Sequence, residues 1–271
     1  MKIGIFDSGY GGLTILKEIR KCLPEYDYIY LGDNARNPYG SRSFEIVYEF
    51  TLQAVKALFE RGCHLVILAC NTASAKALRT IQQNDLPNID PSKRVLGVIR
   101  PTVEIIPELS RSKHIGVLAT PGTVKSNSYS LELKKLSPEI NVTEYACPMW
   151  VPIVENNEVE SPGADYFISK DVKSLMHIDP EIDTVILGCT HYPLLKHKIE
   201  KYIPDNVRLL CQGPLVAESL KDYLKRHPEI ESKLSKNGNI KYYTTEHTEK
   251  FDTLASLFLD KPVISETISL S

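Results

Sequence analysis

The sequence lacks several features that would place it in familiar functional classes. Its 32 Lys and Arg nearly balance its 34 Asp and Glu, so the net charge of −2 offers no basic excess for nucleic acid. No apolar run approaches the ~20 residues that a membrane span requires. An acidic residue, Asp7, falls where a signal peptide would need its apolar stretch. We therefore expect a cytoplasmic protein with no nucleic-acid and no membrane partner.

Motifs for metal, redox and dinucleotide chemistry are also missing. None of the six cysteines stands in a C-x-x-C pair, which argues against zinc-ribbon and thioredoxin-like sites. Without an export signal a disulfide framework is not expected, and a free cysteine is usually a small buried hydrophobe. The loop with Gly9, Gly11 and Gly12 does not have the G-x-G-x-x-G spacing of a dinucleotide site. The residues therefore give no zinc-ribbon, thioredoxin-like or dinucleotide motif, and we expect a protein that works without an added cofactor.

What is present is ordinary globular composition, with 42% hydrophobic and 24% charged residues in 271. That length suits one large or two modest domains. Short apolar runs alternate with amphipathic stretches, a pattern typical of an α/β protein with mostly parallel sheets covered on both faces. The predicted strands are 2–6, 28–31, 65–69, 95–99, 114–119, 141–145, 184–188, 207–210 and 240–243. The predicted helices are 13–22, 44–61, 71–83, 123–136, 165–176, 190–202, 215–225 and 248–259.

The sequence contains an internal echo. The segment 66–72, with Cys70, resembles 185–191, with Cys189, at an offset of 189 − 70 = 119 residues. The segment 3–7 resembles 115–119 at an offset of 115 − 3 = 112 residues. Strands resemble one another by chance, but a cysteine followed by a small polar residue in both copies favours a true repeat. We predict two similar three-layer α/β domains related by a pseudo-twofold axis, the first made of 1–99 plus 207–271 and the second of 100–206.

Four polar or reactive residues follow predicted strands, where open parallel sheets bind ligands. They are Asp7, Cys70, Thr120 and Cys189. We expect the two halves to bring both cysteines to one cleft from opposite sides. Two opposed thiols can remove a proton from one face of a carbon and return one to the other face, which inverts a stereocentre. Both cysteines are predicted at helix N-termini, where amide groups stabilise a thiolate and hold a carboxylate. The substrate expected is therefore a carboxylate beside an acidic C–H.

Motifs in a recognisable order cover nearly the whole chain. They are Asp7-Ser8-Gly9, Gly11-Gly12-Leu13-Thr14, Gly32-Asp33-Asn34-Ala35-Arg36, Pro38-Tyr39-Gly40, Cys70-Asn71-Thr72-Ala73-Ser74, Gly116-Val117-Leu118-Ala119-Thr120, Gly122-Thr123-Val124, Cys147-Pro148, Val151-Pro152-Ile153-Val154-Glu155, Gly188-Cys189-Thr190-His191-Tyr192-Pro193-Leu194-Leu195 and Tyr243-Thr244-Thr245 with Phe251. Together they resemble the glutamate racemases of the cofactor-independent aspartate/glutamate racemase superfamily. The resemblance implies an isomerase that interconverts L- and D-glutamate without pyridoxal phosphate or metal. It also implies a bacterial homodimer whose D-glutamate enters peptidoglycan, and thus a role in cell wall biogenesis and cell shape.

The resemblance also implies roles for individual residues. Cys70 and Cys189 match the two catalytic acid/base residues, and Asp7 and His191 match their respective polarising neighbours. Glu155 matches a further acidic residue of the site. The positions that hold substrate match Asp7, Ser8, Tyr39, Gly40, Asn71, Thr72, Thr190 and His191.

Each of these residues also has a purely structural interpretation. Asp7 after a strand is often a turn former or helix cap, and His191 at a helix start is often a satisfied polar group. Tyr39-Gly40 alone is a turn. Glu155 lies in a polar stretch that is typical of a surface. The order of the motifs favours the functional interpretations, and it does so least for Glu155.

The chain departs from the family pattern at a few positions away from the thiol motifs. Arg100-Pro101-Thr102 replaces an acidic residue followed by Pro-Gly, Trp150 stands where a smaller aromatic is common, and Cys211 replaces an acidic residue. These departures concern packing, oligomer contacts or regulation. Because the sequence begins two residues before the first predicted strand core, we expect no activator-binding N-terminal extension.

Three alternatives stay open at this point. One is a racemase of the same superfamily that acts on aspartate or another amino acid. The second is a two-domain protein that binds a small anion without chemistry, although binding alone needs no second thiol. The third is a redox protein in which Cys70 and Cys189 form a reversible disulfide.

Overall fold

A computed structural model describes residues 1–270, which divide into two compact units. The first unit contains Met1–Val98 together with the chain from Gly213 onward, and the second contains Ile99–Gln212. Within residues 1–270 no helix has both the length and the apolar character needed to cross a membrane. Each unit is built on its own parallel sheet with helices packed against it.

The first unit contains a six-stranded sheet in which every paired strand is parallel. Its strands are β1 Lys2–Asp7, β2 Tyr28–Gly32, β3 Cys63–Leu68, β4 Arg94–Gly97, β9 Ile240–Thr244 and β10 Ser265–Thr267. They lie in the order β10-β9-β2-β1-β3-β4. The helices are α1 Gly12–Cys22, α2 Phe44–Glu60, α3 Asn71–Lys76, α4 Leu78–Thr80, α5 Leu86–Ile89, α12 Gln212–Arg226, α13 Pro228–Glu231 and α14 Thr248–Leu259. The π-helical turn Ile81–Asp85 lies between α4 and α5, and α12 begins at the boundary with the second unit.

The second unit contains a four-stranded parallel sheet. Its strands are β5 His114–Ala119, β6 Asn141–Ala146, β7 Thr184–Gly188 and β8 Arg208–Leu210, and they lie in the order β6-β5-β7-β8. The helices are α6 Ile99–Leu109, α7 Pro121–Ser126, α8 Ser128–Leu136, α9 Trp150–Glu155, α10 Pro162–Ile178 and α11 Lys196–Ile199. A 3₁₀ turn, Tyr192–Leu195, precedes α11.

Burial explains why the central strands read as continuous apolar runs. Every residue of β3 and of β7 is buried, because helices cover both faces of a parallel sheet. In the first unit Phe6, Val66 and Leu68 pack in one core cluster with Val47 and Leu58 of α2. The α/β class with mostly parallel sheets is confirmed.

The two sheets share one plan, as the internal echo indicates. The order β2-β1-β3-β4 within the first sheet corresponds to β6-β5-β7-β8 in the second. The echoed segments are β1 with β5 and β3 with β7, and Cys70 and Cys189 come within two residues of the ends of β3 and β7. The repeat does not extend to the acidic residue near the first thiol. At the offset of 112 residues, Ala119 of the second unit corresponds to Asp7 of the first.

Several predicted boundaries differ from those observed. We expected the chain to return to the first half near Val207, but β8 pairs with β7 and the second unit extends to Gln212. The predicted strand 95–99 ends at Gly97, because Ile99 already begins α6. The predicted helix 123–136 is interrupted at Asn127, whose φ of 52° lies in the left-handed region that asparagine tolerates.

Candidate active site

Cys70 lies two residues beyond the end of β3 and caps α3. Its Sγ accepts a hydrogen bond from the backbone N–H of Ala73 at 3.5 Å and lies 3.4 Å from Oγ of Ser8. The thiol group is almost wholly buried, with 6% of the residue exposed. A backbone N–H and a hydroxyl beside sulfur are donors that stabilise a thiolate. The local geometry therefore equips Cys70 to hold and release a proton.

Asp7 ends the neighbouring strand β1 and is fully buried. Its Oδ2 accepts from the backbone N–H of Gly9 at 2.9 Å. A Cβ on Gly12 would stand 2.5 Å from Cβ of Asp7, so only glycine permits α1 to begin this close. The start of α1 therefore lies close to Asp7, and the positive end of a helix dipole favours a negative charge there.

Tyr39 is held in place by a buried carboxylate that the sequence interpretation did not assign to the site. The Tyr39 hydroxyl donates to Asp33, which is fully buried and also accepts from Nε of Arg36 at 2.7 Å. The Thr245 hydroxyl donates to the other oxygen of Asp33 at 2.9 Å. Burial and the Asp33 charge raise the pKa of Tyr39, so its hydroxyl keeps its proton. Asp33 and Thr245 both lie in recognised motifs, and their position was the available signal for this network.

The remaining predicted residues of the first unit lie beside these groups in the chain. Asn71 and Thr72 begin α3 directly after Cys70, and both are buried. Gly40 is half-buried in the turn after Tyr39. The predicted residues of this unit thus lie at or beyond the carboxyl ends of β1, β2 and β3, the usual ligand-binding edge of a parallel sheet.

In the second unit Cys189 comes directly after β7 and faces a histidine. Its Sγ lies 3.8 Å from Nδ1 of His191, and Nε2 of the same ring lies 2.9 Å from Oε1 of Glu155. His191 is 3% exposed by side chain and Glu155 is 20% exposed. Glu155, the predicted residue with the weakest sequence support, therefore lies in direct contact with His191. Thr190, which lies between Cys189 and His191 in the sequence, is also buried.

The electrostatics of this triad favour a charged imidazole. Burial lowers the pKa of His191, but the hydrogen bonds to Cys189 and Glu155 outweigh it and raise the pKa to about 10. A protonated ring donates to both neighbours at once. The imidazolium places a positive charge 3.8 Å from Sγ of Cys189. The arrangement can therefore store a proton beside the thiol.

The prediction that Cys189 lies at a helix N-terminus is wrong. After Cys189 the chain makes a turn in which the Tyr192 N–H donates to the Cys189 carbonyl, at 3.1 Å, and a 3₁₀ turn comes next. This turn directs the His191 ring back toward sulfur. Cys70 thus has a helix-capping amide as its neighbour, whereas Cys189 has an imidazole. Among residues 1–270 no group of three or more His, Cys, Asp and Glu has an arrangement suited to a metal ion.

Similarity to known proteins agrees with these features. The sequence profile described as Asp/Glu/hydantoin racemase matches residues 13–219. A glutamate racemase of Ruegeria sp. (strain TM1040) is 40% identical over 276 residues, covering 98% of this chain and 99% of the relative. The crystal structure of glutamate racemase isoform RacE1 from Bacillus anthracis gives a TM-score of 0.90 at 34% identity, covering 99% of this chain and 97% of that one.

A second solved structure, glutamate racemase from Francisella tularensis in complex with D-glutamate, gives a TM-score of 0.88 at 34% identity. It covers 100% of this chain and 98% of the other. An aspartate racemase of Picrophilus torridus and an aspartate racemase homologue of Pyrococcus horikoshii, both at 19% identity, share the fold alone. On the match of the racemase profile and the near-complete coverage by these relatives, the chain belongs to the Asp/Glu/hydantoin racemase family.

Proposed function

We propose that this chain is a glutamate racemase that interconverts L- and D-glutamate through two thiols, Cys70 and Cys189. The observation that carries the proposal is the repetition of a buried thiol after corresponding strands of two sheets with one plan, each thiol with its own polar partners. A second thiol in the same topological place has no function in simple binding. The identity of the relatives supports glutamate as the substrate.

In the proposed reaction one thiolate removes the proton from the α-carbon, so a C–H bond breaks and an S–H bond forms. The electron pair left on carbon spreads into the neighbouring carboxylate. The other thiol then donates its proton to the opposite face, breaking its S–H bond and forming the new C–H bond. No proton is gained or lost overall, and the two sulfurs end with exchanged protonation states. Amides and hydroxyls near Asn71, Thr72 and Thr190 are the groups proposed to hold the carboxylate.

The family resemblance suggests which thiol meets which enantiomer. We assign Cys189, with His191 and Glu155, to L-glutamate and Cys70, with Asp7 and Ser8, to D-glutamate. The raised pKa of His191 supports this assignment, because it keeps a positive charge beside the sulfur that is proposed to take the α-proton of L-glutamate. Tyr39, held by Asp33, and the adjoining Gly40 are proposed to contact the substrate from the first unit.

The biological setting is part of the same proposal. D-Glutamate is a component of bacterial peptidoglycan, so we propose a cytoplasmic role in supplying cell wall biogenesis. We further propose a homodimer, which light scattering on the purified protein would establish. No added cofactor is expected to be needed, and dialysed protein that requires pyridoxal phosphate for turnover would contradict that expectation.

The experiment measures racemisation of L- and D-glutamate by circular dichroism with wild type, Cys70→Ala and Cys189→Ala. Removing a general acid/base group typically costs about 100- to 10,000-fold in rate, and we expect losses of that size in both directions for either variant. Cys22→Ser is the matched control, because this half-buried thiol contacts Glu218 away from both sites.

Three outcomes distinguish the alternatives. Faster turnover of L-aspartate than of L-glutamate would favour the aspartate racemase. Binding of glutamate without turnover would favour the anion-binding protein. Loss of activity in excess reductant would favour the redox protein, since the proposed thiols work only when reduced.

A further inference from the structure

The helix that carries Glu155 is too short to hold its own orientation. α9 contains six residues, with Trp150 at its start and Glu155 at its end. Isolated helices of this length are marginal in water, so α9 depends on tertiary packing. Its length from Trp150 to Glu155 is about 7.5 Å at ~1.5 Å per residue, so a tilt of ~10° moves Glu155 by about 1.3 Å. The position of the carboxylate therefore depends on what fixes Trp150.

Trp150 is fixed against the turn that carries His191. Its indole is fully buried, and its ring centroid lies 4.7 Å from that of Tyr192, the residue after His191. The carbonyl of Cys147 accepts from the Tyr192 hydroxyl at 3.1 Å and from the Trp150 backbone N–H at 3.4 Å. We call Trp150, Tyr192 and the Cys147 carbonyl the aromatic clamp. The clamp joins the start of α9 directly to the His191 turn.

A buried acid lies beside the clamp. Asp171 on α10 is 4% exposed. Burial raises the pKa of its carboxyl, while the Trp150 indole, Lys170 and the Cys147 thiol act against that rise. The buried Nε1 of Trp150 is therefore a polar neighbour of the Asp171 carboxyl and acts to lower its pKa. The indole thus has an aromatic neighbour and a polar neighbour that restrict its position.

From this geometry we propose that Trp150 is a positioning residue for the Cys189 side of the reaction: the aromatic clamp holds α9 so that Glu155 stays in contact with His191. The proposal rests on the proposed racemase function. Misplacing a group of the site by about 1 Å can cost ~100-fold in rate. We therefore expect Trp150→Phe, whose smaller ring cannot keep both contacts, to lower kcat by about tenfold. Trp150→Leu should lower it by about 100-fold.

The deciding readout is the isotope effect with α-deuterated glutamate, measured in each direction. Because the enantiomers have equal energies, kcat/KM must fall equally in both directions whatever the cause. If the Cys189 side alone is impaired, proton removal from L-glutamate becomes more rate-limiting and its isotope effect rises. Proton removal from D-glutamate by Cys70 becomes less rate-limiting, and its isotope effect falls. A general loss of folded protein changes neither isotope effect.

A double-mutant comparison tests whether Trp150 acts through Glu155. Glu155→Gln should change the two isotope effects in the same opposite directions, which we call the skew. Trp150→Phe combined with Glu155→Gln should be no slower than Glu155→Gln alone, because the effects of residues in one chain of contacts are not additive. Ile168→Val, a fully buried change elsewhere on α10, is the control, and its effect should simply multiply with that of Glu155→Gln. If Trp150→Phe does not fold, Tyr192→Phe removes only the hydroxyl bond to Cys147 and should give a smaller skew of the same sign.

The results separate the two proposals. A wild-type protein that does not racemise glutamate contradicts the proposed function. The positioning role is tested separately by the ¹⁵N shifts of His191, whose imidazolium should lose its proton at a lower pH in Trp150→Phe than in wild type. Multiplicative rate losses with Glu155→Gln, unskewed isotope effects, or an unchanged His191 titration in a folded Trp150→Phe protein would overturn the positioning role.

Discussion

Replacing Glu155 by Gln should move the alkaline limit of activity to lower pH. The amide keeps an oxygen that accepts from Nε2 of His191 but removes a negative charge 2.9 Å from that nitrogen. The pKa of His191, about 10 in the intact triad, depends partly on that charge. A histidine with a raised pKa carries its proton below that pKa and loses it as the pH rises through it. The active form, with His191 protonated, should therefore be lost at lower pH in the variant.

The size of the change can be worked out from the contact. Two unit charges ~4 Å apart interact by about 4 kcal/mol at an effective dielectric constant of ~20, which corresponds to about 3 pKa units. Because Glu155 is 20% exposed and the amide keeps one hydrogen bond, solvent reduces the expected shift to about 1–2 units. The pKa of His191 should thus fall to about 8–9. The variant should lose about tenfold more activity at pH 9.5 than at pH 7, relative to wild type.

The assay is kcat for L-glutamate between pH 6 and pH 10, with the ¹⁵N shifts of His191 measured over the same range. Glu158→Gln removes an exposed charge three residues away and serves as the control. It should not shift the alkaline limb, the pH range in which kcat falls as the pH rises. An alkaline limb that stays in place in Glu155→Gln, while the His191 pKa does fall, would refute the link between the imidazolium and catalysis. An unchanged His191 pKa would refute the electrostatic reasoning itself.

Two further predictions concern the framework of the units. Gly12→Ala should destabilise the protein by about 1–3 kcal/mol in urea unfolding and reduce activity, since the new Cβ meets Asp7 at 2.5 Å. Gly163→Ala is the control: the nearest atom to its new Cβ is 3.6 Å away, so the change should be neutral or stabilising by up to about 1 kcal/mol. Burial opposes ionisation of Asp183, but donors from 110–112 and Thr184 lower its pKa from 3.8 to about 2. A lowered carboxyl pKa stabilises the fold above pH ~3.8 and ceases to do so as pH falls toward about 2. Asp183→Asn should therefore cost about 2 kcal/mol at pH 7, and that difference should narrow between pH 4 and pH 2. Equal urea midpoints for Asp183→Asn and wild type at pH 7 would contradict this account.

The sequence predicted the strands better than the turns and helix starts at their carboxyl ends. Apolar runs such as β3 and β7 are set by burial on both faces, which composition reveals directly. The conformation after Cys189 depends instead on a turn and on the contact between His191 and Glu155, which are 36 residues apart in the chain. Sequence spacing suggested a helix there because Cys70 and Cys189 share flanking residues. The strand β10 was not predicted, because its three residues are too few to show an alternating or apolar pattern.

Long-range polar contacts were the least predictable part of the site. Glu155 lies in a polar stretch that resembles ordinary surface, and only the fold brings it to His191. The sequence named Asp33 only as part of a motif, and its bonds to Tyr39 and Thr245 place it at the centre of a buried network. Trp150 stood out only as a departure in side-chain size, and its packing on Tyr192 depends on α9 and the 3₁₀ turn meeting. Such contacts join elements that local patterns describe separately.

The central claim, that two separate thiols serve the two faces of the α-carbon, is tested most directly by racemising L-glutamate in heavy water. At early times the account predicts that the D-glutamate formed carries solvent deuterium at the α-carbon, because its proton comes from Cys70 rather than from the Cys189 that took the original one. The remaining L-glutamate should still carry protium, since Cys189 does not return a solvent deuteron to the face it deprotonates before product forms. D-Glutamate that retains the substrate's own proton, or early deuterium in the remaining L-glutamate at the same level as in the product, would contradict the two-thiol mechanism.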